Sequence, residues 1–116
     1  MNIWVDGSTT RVCLYIEGQE PEVIMLPKKV TTNQGEYWAA ICALVEACSQ
    51  GVEDVIILSD SELLVRQMQA QYKTKNSELQ RLRAVILDLG MNFNSVRFEW
   101  IPREKNPAGL RLELKS

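Results

Sequence analysis

The sequence predicts an α/β domain built on a mixed five-stranded sheet, three antiparallel strands followed by parallel ones, with helices on its faces. Three observations predict it. Three short apolar or alternating runs follow one another within residues 2–26, separated only by brief turns, which is the pattern of an antiparallel meander. From there on, helical periodicity alternates with apolar runs, and strand–helix–strand units pair in parallel. The length of 116 residues suits one domain with a single hydrophobic core and is too short for two.

The elements follow in order. Residues 2–5 (Asn-Ile-Trp-Val) are a short buried strand that ends in the turn Asp6-Gly7-Ser8. Residues 11–17 are rich in β-branched and aromatic types and form a second strand; Gly18 to Pro21 turn the chain into a third at 22–26, stopped by Pro27. Residues 35–49 form a helix, with Trp38, Ile41, Cys42, Val45 and Cys48 at steps of three and four. Thr32 or Asn33 is its expected N-cap, Glu36 lies in its first turn, and Gly51 is its stop. Val55 to Leu58 is a continuous apolar run, the mark of a strand covered on both faces. Ser59 or Asp60 then caps a helix carrying Leu63, Leu64, Gln67 and Met68, and a polar, basic loop runs from Gln71 to Asn76. Leu79, Leu82, Val85, Ile86 and Leu89 define a helix over 77–91, and the alternating stretch 96–101 is the fifth strand, ended by Pro102. The tail from Asn106 is expected to add a helical turn or two.

Composition narrows the function. No histidine is present, and the three cysteines (Cys13, Cys42, Cys48) form no CxxC pair. Serine–histidine or cysteine–histidine catalysis is therefore excluded and a structural zinc site is not expected. The cysteines read as small buried thiols. The net charge of −2 and a pI near 5.2 argue against indiscriminate nucleic-acid binding. Lys73, Lys75, Arg81, Arg83, Arg97, Arg103 and Lys105 nevertheless all fall in the second half. No apolar run approaches the ~20 residues of a membrane helix. The N-terminus does not read as a signal peptide, because Asp6 and Gly7 interrupt the apolar start. A cytoplasmic protein that binds no membrane is the expectation.

Three acids stand where chemistry is expected. Asp6 and Asp60 end two strands, and ligand sites in open α/β sheets lie at such ends. Glu36, at the start of the first helix, is able to join them. Three converging carboxylates repel one another unless cations sit among them, so the chemical reading is an oxygen-ligand site for Mg²⁺ or Mn²⁺. Each acid also has a purely structural role available: Asp6 as a turn former, Asp60 as a helix cap, Glu36 as complement to a helix dipole. Spacing alone leaves both readings open.

The words around the acids are more specific. Val-Asp-Gly-Ser at 5–8, Thr-Thr-Asn-Gln-Gly-Glu-Tyr at 31–37, Leu-Ser-Asp-Ser-Glu-Leu-Leu-Val at 58–65 and Trp-Ile-Pro-Arg-Glu-Lys-Asn-Pro-Ala at 100–108 occur in that order. Together they resemble the type 1 ribonuclease H family over residues 2–109. The resemblance implies a single ribonuclease H-like domain spanning 1–116, with a truncated C-terminal helix. It also implies endonucleolytic cleavage of the RNA strand of RNA–DNA hybrids, supported by two Mg²⁺ or Mn²⁺ ions. By the same resemblance Asp6, Glu36 and Asp60 are the catalytic metal ligands. Ser8, Thr32, Asn33 and Ser61 match positions near the hybrid, Ser61 where RNA 2′-hydroxyls are expected. Lys73 and Lys75 correspond to a basic loop suited to backbone phosphates.

Departures from the family pattern are also legible. After Arg-Glu-Lys-Asn the family continues to Ala-Asp, the aspartate being a fourth metal ligand, whereas here the chain reads Pro107-Ala108-Gly109. Glu113, one helical turn further, is a candidate substitute ligand. The family's loop histidine is missing, as in many active members, and the first hairpin is short at residues 9–11. A catalytically weakened or inactive homologue that binds nucleic acid is therefore the alternative. A nuclease of another type on the same fold fits the quoted words less well.

Overall fold

A computed structural model describes residues 1–114, so the domain boundary expected at 116 lies outside the described residues. Five strands, β1 (Asn2–Gly7), β2 (Arg11–Ile16), β3 (Glu22–Met25), β4 (Asp54–Ser59) and β5 (Ser95–Trp100), form one sheet in the order β3-β2-β1-β4-β5. β1–β2 and β2–β3 are antiparallel, while β1–β4 and β4–β5 are parallel. The helices are α1 (Thr32–Ser49), α2 (Glu62–Met68), α3 (Ser77–Gly90) and α4 (Pro107–Leu114), with a 3-10 turn at Arg103–Lys105. The mixed five-stranded architecture expected from the sequence is the one observed. Among the described residues no helix is long and apolar enough to cross a membrane.

The main core lies between one face of the sheet and helices α1–α3. Strand alternation sends Ile3, Val5, Val12, Leu14, Val55 and Ile57 to that face, where Tyr37, Leu44, Leu64, Leu82 and Ile86 cover them. The expected apolar stripe of α1 is displaced. Val45 is 52% exposed and Cys48 is also exposed, while Ala39, Ala40, Ala43, Leu44 and Ala47 are buried. The alanines let α1 pack closely on both the sheet and α3, so small residues share its inner side with Tyr37, Ile41 and Leu44. Of the cysteines, only Cys13 is fully buried.

Helix starts also differ from expectation, and the differences matter for the site. Thr31, not Thr32 or Asn33, is the N-cap of α1. Its Oγ1 accepts from the Gln34 N–H at 3.1 Å, and its own N–H donates to Gln34 Oε1 at 3.0 Å, a reciprocal capping box. Glu36 therefore lies beyond the first turn, which holds no acid, and is not a dipole complement. Likewise Ser61, not Ser59 or Asp60, caps α2, its hydroxyl accepting from the Leu64 N–H at 3.2 Å. Asn76 caps α3, its Oδ1 accepting from the Leu79 N–H at 3.0 Å. Gly51, with φ +71°, follows the end of α1 as a left-handed stop.

The opposite face of the sheet is thinly covered. Here α4 lays Ala108 and Leu112 on Cys13, with Trp4, Tyr15 and Val23 half-buried around them. Leu110 points away and is 45% exposed.

Candidate metal centre

The parallel register of β1 and β4 pairs Val5 with Ser59, which sets Asp6 level with Asp60 at the adjacent carboxyl ends of the two strands. Asp6 directly follows the apolar run of β1, and Asp60 follows that of β4 after Ser59. Glu36 reaches the same point from α1 because the helix start and the end of β1 touch backbone to backbone. A Cβ added at Gly7 would lie 2.0 Å from Gly35 O, and one at Gly35 would lie 2.0 Å from Ser8 O. Only glycine at both positions permits that approach. It lets Glu36 Oε1 accept the Gly7 N–H at 2.5 Å. Each of the three acids then offers an oxygen within 4.8 Å of the others. Since Thr31 and Ser61 do the capping, the structural roles open to Glu36 and Asp60 are already filled.

Burial makes the cluster electrostatically tense. Desolvation foremost, then repulsion from Asp6, pushes Glu36 up to about 9, against the hydrogen bond from Gly7. Asp6 rises to about 6, again mainly through burial, with Asp60 adding repulsion and Arg103 opposing the rise. A side-chain hydrogen bond between Glu36 and Asp6 stabilises the protonated glutamate. Oxygen-only donors, converging and short of positive charge, fit a hard divalent cation such as Mg²⁺ or Mn²⁺.

Two residues of the Arg-Glu-Lys-Asn word complete the site, and the sequence reading assigned neither a role. Asn106 is fully buried. Its Nδ2 donates to Val5 O at 2.9 Å and to Asp60 Oδ2 at 2.8 Å, while its Oδ1 accepts from the Ala108 N–H at 3.2 Å. One side chain thus ties β1, Asp60 and the start of α4 together. Arg103 places Nη1 3.1 Å from Asp6 Oδ1 and 3.3 Å from Asp60 Oδ2, and its Nη2 lies 2.9 Å from Glu113 Oε1. The word itself was the available signal; what was lacking was the knowledge that its arginine turns inward. Trp100 Nε1 donates to Asp60 O at 3.2 Å and fixes that backbone from the neighbouring strand.

The remaining sequence-predicted residues are placed as follows. Glu113 lies on α4, is paired with Arg103, and is separate from the three-acid cluster. A Cβ at Gly109 would stand 3.3 Å from Asp60 Oδ2 and 3.0 Å from Arg103 Nη1, so a side chain there would enter the site. Ser8 folds its hydroxyl into the β1–β2 turn, donating to Arg11 O at 3.0 Å and accepting from the Arg11 N–H at 3.1 Å. Thr32 and Asn33 are exposed in the first turn of α1, and Ser61 follows Asp60 directly as the α2 cap. Lys73 and Lys75 are exposed on the α2–α3 loop, lining an open cleft with Tyr72, Gln80 and Arg83. A buried relay anchors that loop to the acid-bearing helix: Tyr37 Oη donates to Gln67 Oε1, and Gln67 Nε2 donates to Lys73 O at 3.2 Å.

Comparison with known proteins identifies the family. A family model described as reverse transcriptase-like matches residues 10–109. The structure of LC11-RNase H1 in complex with an RNA/DNA hybrid is 31% identical, with TM-score 0.81, over 96% of this chain and 91% of that one. The chain belongs to the type 1 ribonuclease H family. RNase H1 from Halobacterium salinarum shares the fold, with TM-score 0.84 at 24% identity over 96% of this chain and 92% of that chain. A bifunctional protein of Mycobacterium tuberculosis is 33% identical over 84 residues, 72% of this chain. The match to the ribonuclease HI of H. salinarum is 32% identical over 67% of this chain. This ribonuclease H domain spans 23% of the length of the mycobacterial relative and 39% of the halobacterial one.

Proposed function

We propose that the chain is a divalent-metal-dependent endonuclease that hydrolyses the RNA strand of RNA–DNA hybrids. The observation that carries this reading is the convergence of Asp6, Glu36 and Asp60, the first two buried and the third half-buried, with the aspartates at the carboxyl ends of adjacent strands and Glu36 brought to them from α1. Asp6, Glu36 and Asp60 would hold Mg²⁺ or Mn²⁺, two ions in the family's arrangement. When bound, such ions activate a water and stabilise the leaving oxygen of a phosphodiester. The chain's own contribution is to bind and orient. Asn106 and Trp100 hold Asp60 in place, and the Gly7–Gly35 contact holds Glu36. Thr32, Asn33 and Ser61 would contact the hybrid, Ser8 shapes the turn after Asp6, and Lys73 and Lys75 would offer positive charge to backbone phosphates. The hybrid in the LC11-RNase H1 structure supports the choice of substrate.

A second reading, a weakened or inactive homologue that binds hybrids, is favoured by Gly109 and by the arginine pairing in the site. Incubation of a labelled RNA–DNA hybrid with Mg²⁺ or Mn²⁺ separates the two. The expected result is RNA-strand cleavage by the wild type and a loss of at least a thousandfold in Asp6→Asn. Tight hybrid binding with no cut in either metal would replace the first reading by the second. Absence of both binding and cleavage would overturn both.

A further inference from the structure

Arg103 is the one basic side chain paired with the acidic cluster among the described residues. Its Nη1 bridges Asp6 and Asp60, the two carboxylates contributed by adjacent strand ends. The same nitrogen lies 3.0 Å from where a Cβ on residue 109 would be, so the guanidinium fills space that the absent side chain leaves open. The other end of the group is tethered: Nε and Nη2 donate to Glu113 Oε1 at 3.2 and 2.9 Å. Glu113 therefore orients Arg103 rather than reaching the cluster. The Arg103 side chain is 45% exposed, so its departure would uncover no core.

We propose that Arg103 is a resident cation of this site, taking the place of one of its divalent ions, so that the free protein binds a single Mg²⁺ or Mn²⁺. The inference rests on the metal-site reading above and deepens it. Charge supports it. The three clustered carboxylates face one guanidinium, which leaves them room for one divalent ion. The fourth carboxylate nearby, Glu113, is spent on the arginine and lies outside the cluster, so it does not offset a second divalent ion there. Repulsion from a guanidinium held within 3.3 Å of both aspartates weakens any second cation sharing those oxygens. Glu113 makes this arrangement durable, because a guanidinium gripped through two nitrogens loses less freedom on holding its position than a free one does.

The test is Mn²⁺ binding to the full chain without nucleic acid, followed by titration calorimetry and by the electron paramagnetic resonance of free Mn²⁺. The wild type is expected to take one ion. Arg103→Gln is expected to take two, with the first bound about tenfold tighter. Arg103→Lys, which keeps the charge, should stay at one ion, and the Mn²⁺-induced rise in melting temperature should be larger in Arg103→Gln than in either. Two ions in the wild type, with affinities unchanged in Arg103→Gln, would overturn the inference and leave the metal site standing. No binding by the wild type or by Arg103→Gln would overturn both.

Discussion

The two faces of the sheet are built on opposite terms. Toward α1–α3, alternate residues of four strands meet three helices in a continuous apolar core. Toward α4, only Cys13, Ala108 and Leu112 are buried together, and the aromatic pair Trp4–Tyr15, with ring centroids 5.6 Å apart, stays half-open. Asp6 belongs to this second face, since strand alternation places it with Trp4 rather than with Ile3 and Val5. The thick face supplies stability. The thin face and the adjoining strand ends carry the charge, where acids can be desolvated enough to need a cation yet remain within its reach.

Core truncation tests that contrast with the largest stability effect. Leu44→Ala, on a fully buried α1 position, should cost about 2–5 kcal/mol in urea unfolding. Leu112→Ala should cost less than half as much and raise hydrogen exchange chiefly in α4, because that helix can loosen while the main core persists. Equal losses from the two variants would show that the faces are energetically equivalent.

A pH experiment sharpens the electrostatic side. Glu36 is raised from 4.5 to about 9 and Asp6 from 3.8 to about 6, so the folded chain holds protons that the unfolded chain releases. Below the unfolded values both states are protonated and nothing is lost. As pH rises through the window from about 4.5 to 9, the Glu36 contribution falls steadily, and above the folded value the penalty is constant. With a chelator present, urea midpoints should therefore decline from pH 5 to pH 8. Added Mg²⁺ should flatten the decline, and Glu36→Gln should remove most of it. A midpoint that rises with pH in both proteins would contradict the assigned burial.

The smallest effect expected is local. Thr31→Ala removes half of a capping box and should cost about 1 kcal/mol. Because Glu36 lies just beyond that cap, metal affinity should also fall a fewfold. Unchanged Mn²⁺ binding at the lowered stability would show that the glycine contact alone positions Glu36.

Much of this was legible in the chain. Apolar alternation and turn residues revealed the five strands, and the words around Asp6, Glu36 and Asp60 pointed to a metal-dependent nuclease family. The caps of α1 and α2 lie one or two positions from those the sequence predicts, because Thr31, Thr32 and Asn33, or Ser59, Asp60 and Ser61, are all good caps, and only backbone dihedrals choose among them. The inner side of α1 was misjudged because alanines carry a weak periodic signal and acquire their role only when a sheet and a second helix close on them. By itself, the sequence determined the element order and the identity of the three acids, since these follow from local preference and residue type. Tertiary structure alone decided that Arg103 turns inward between Asp6 and Asp60, that Asn106 ties Asp60 to β1, and that Glu113 holds the arginine. Those contacts join residues as many as 101 positions apart, and no local periodicity encodes a long-range pairing of flexible charged side chains.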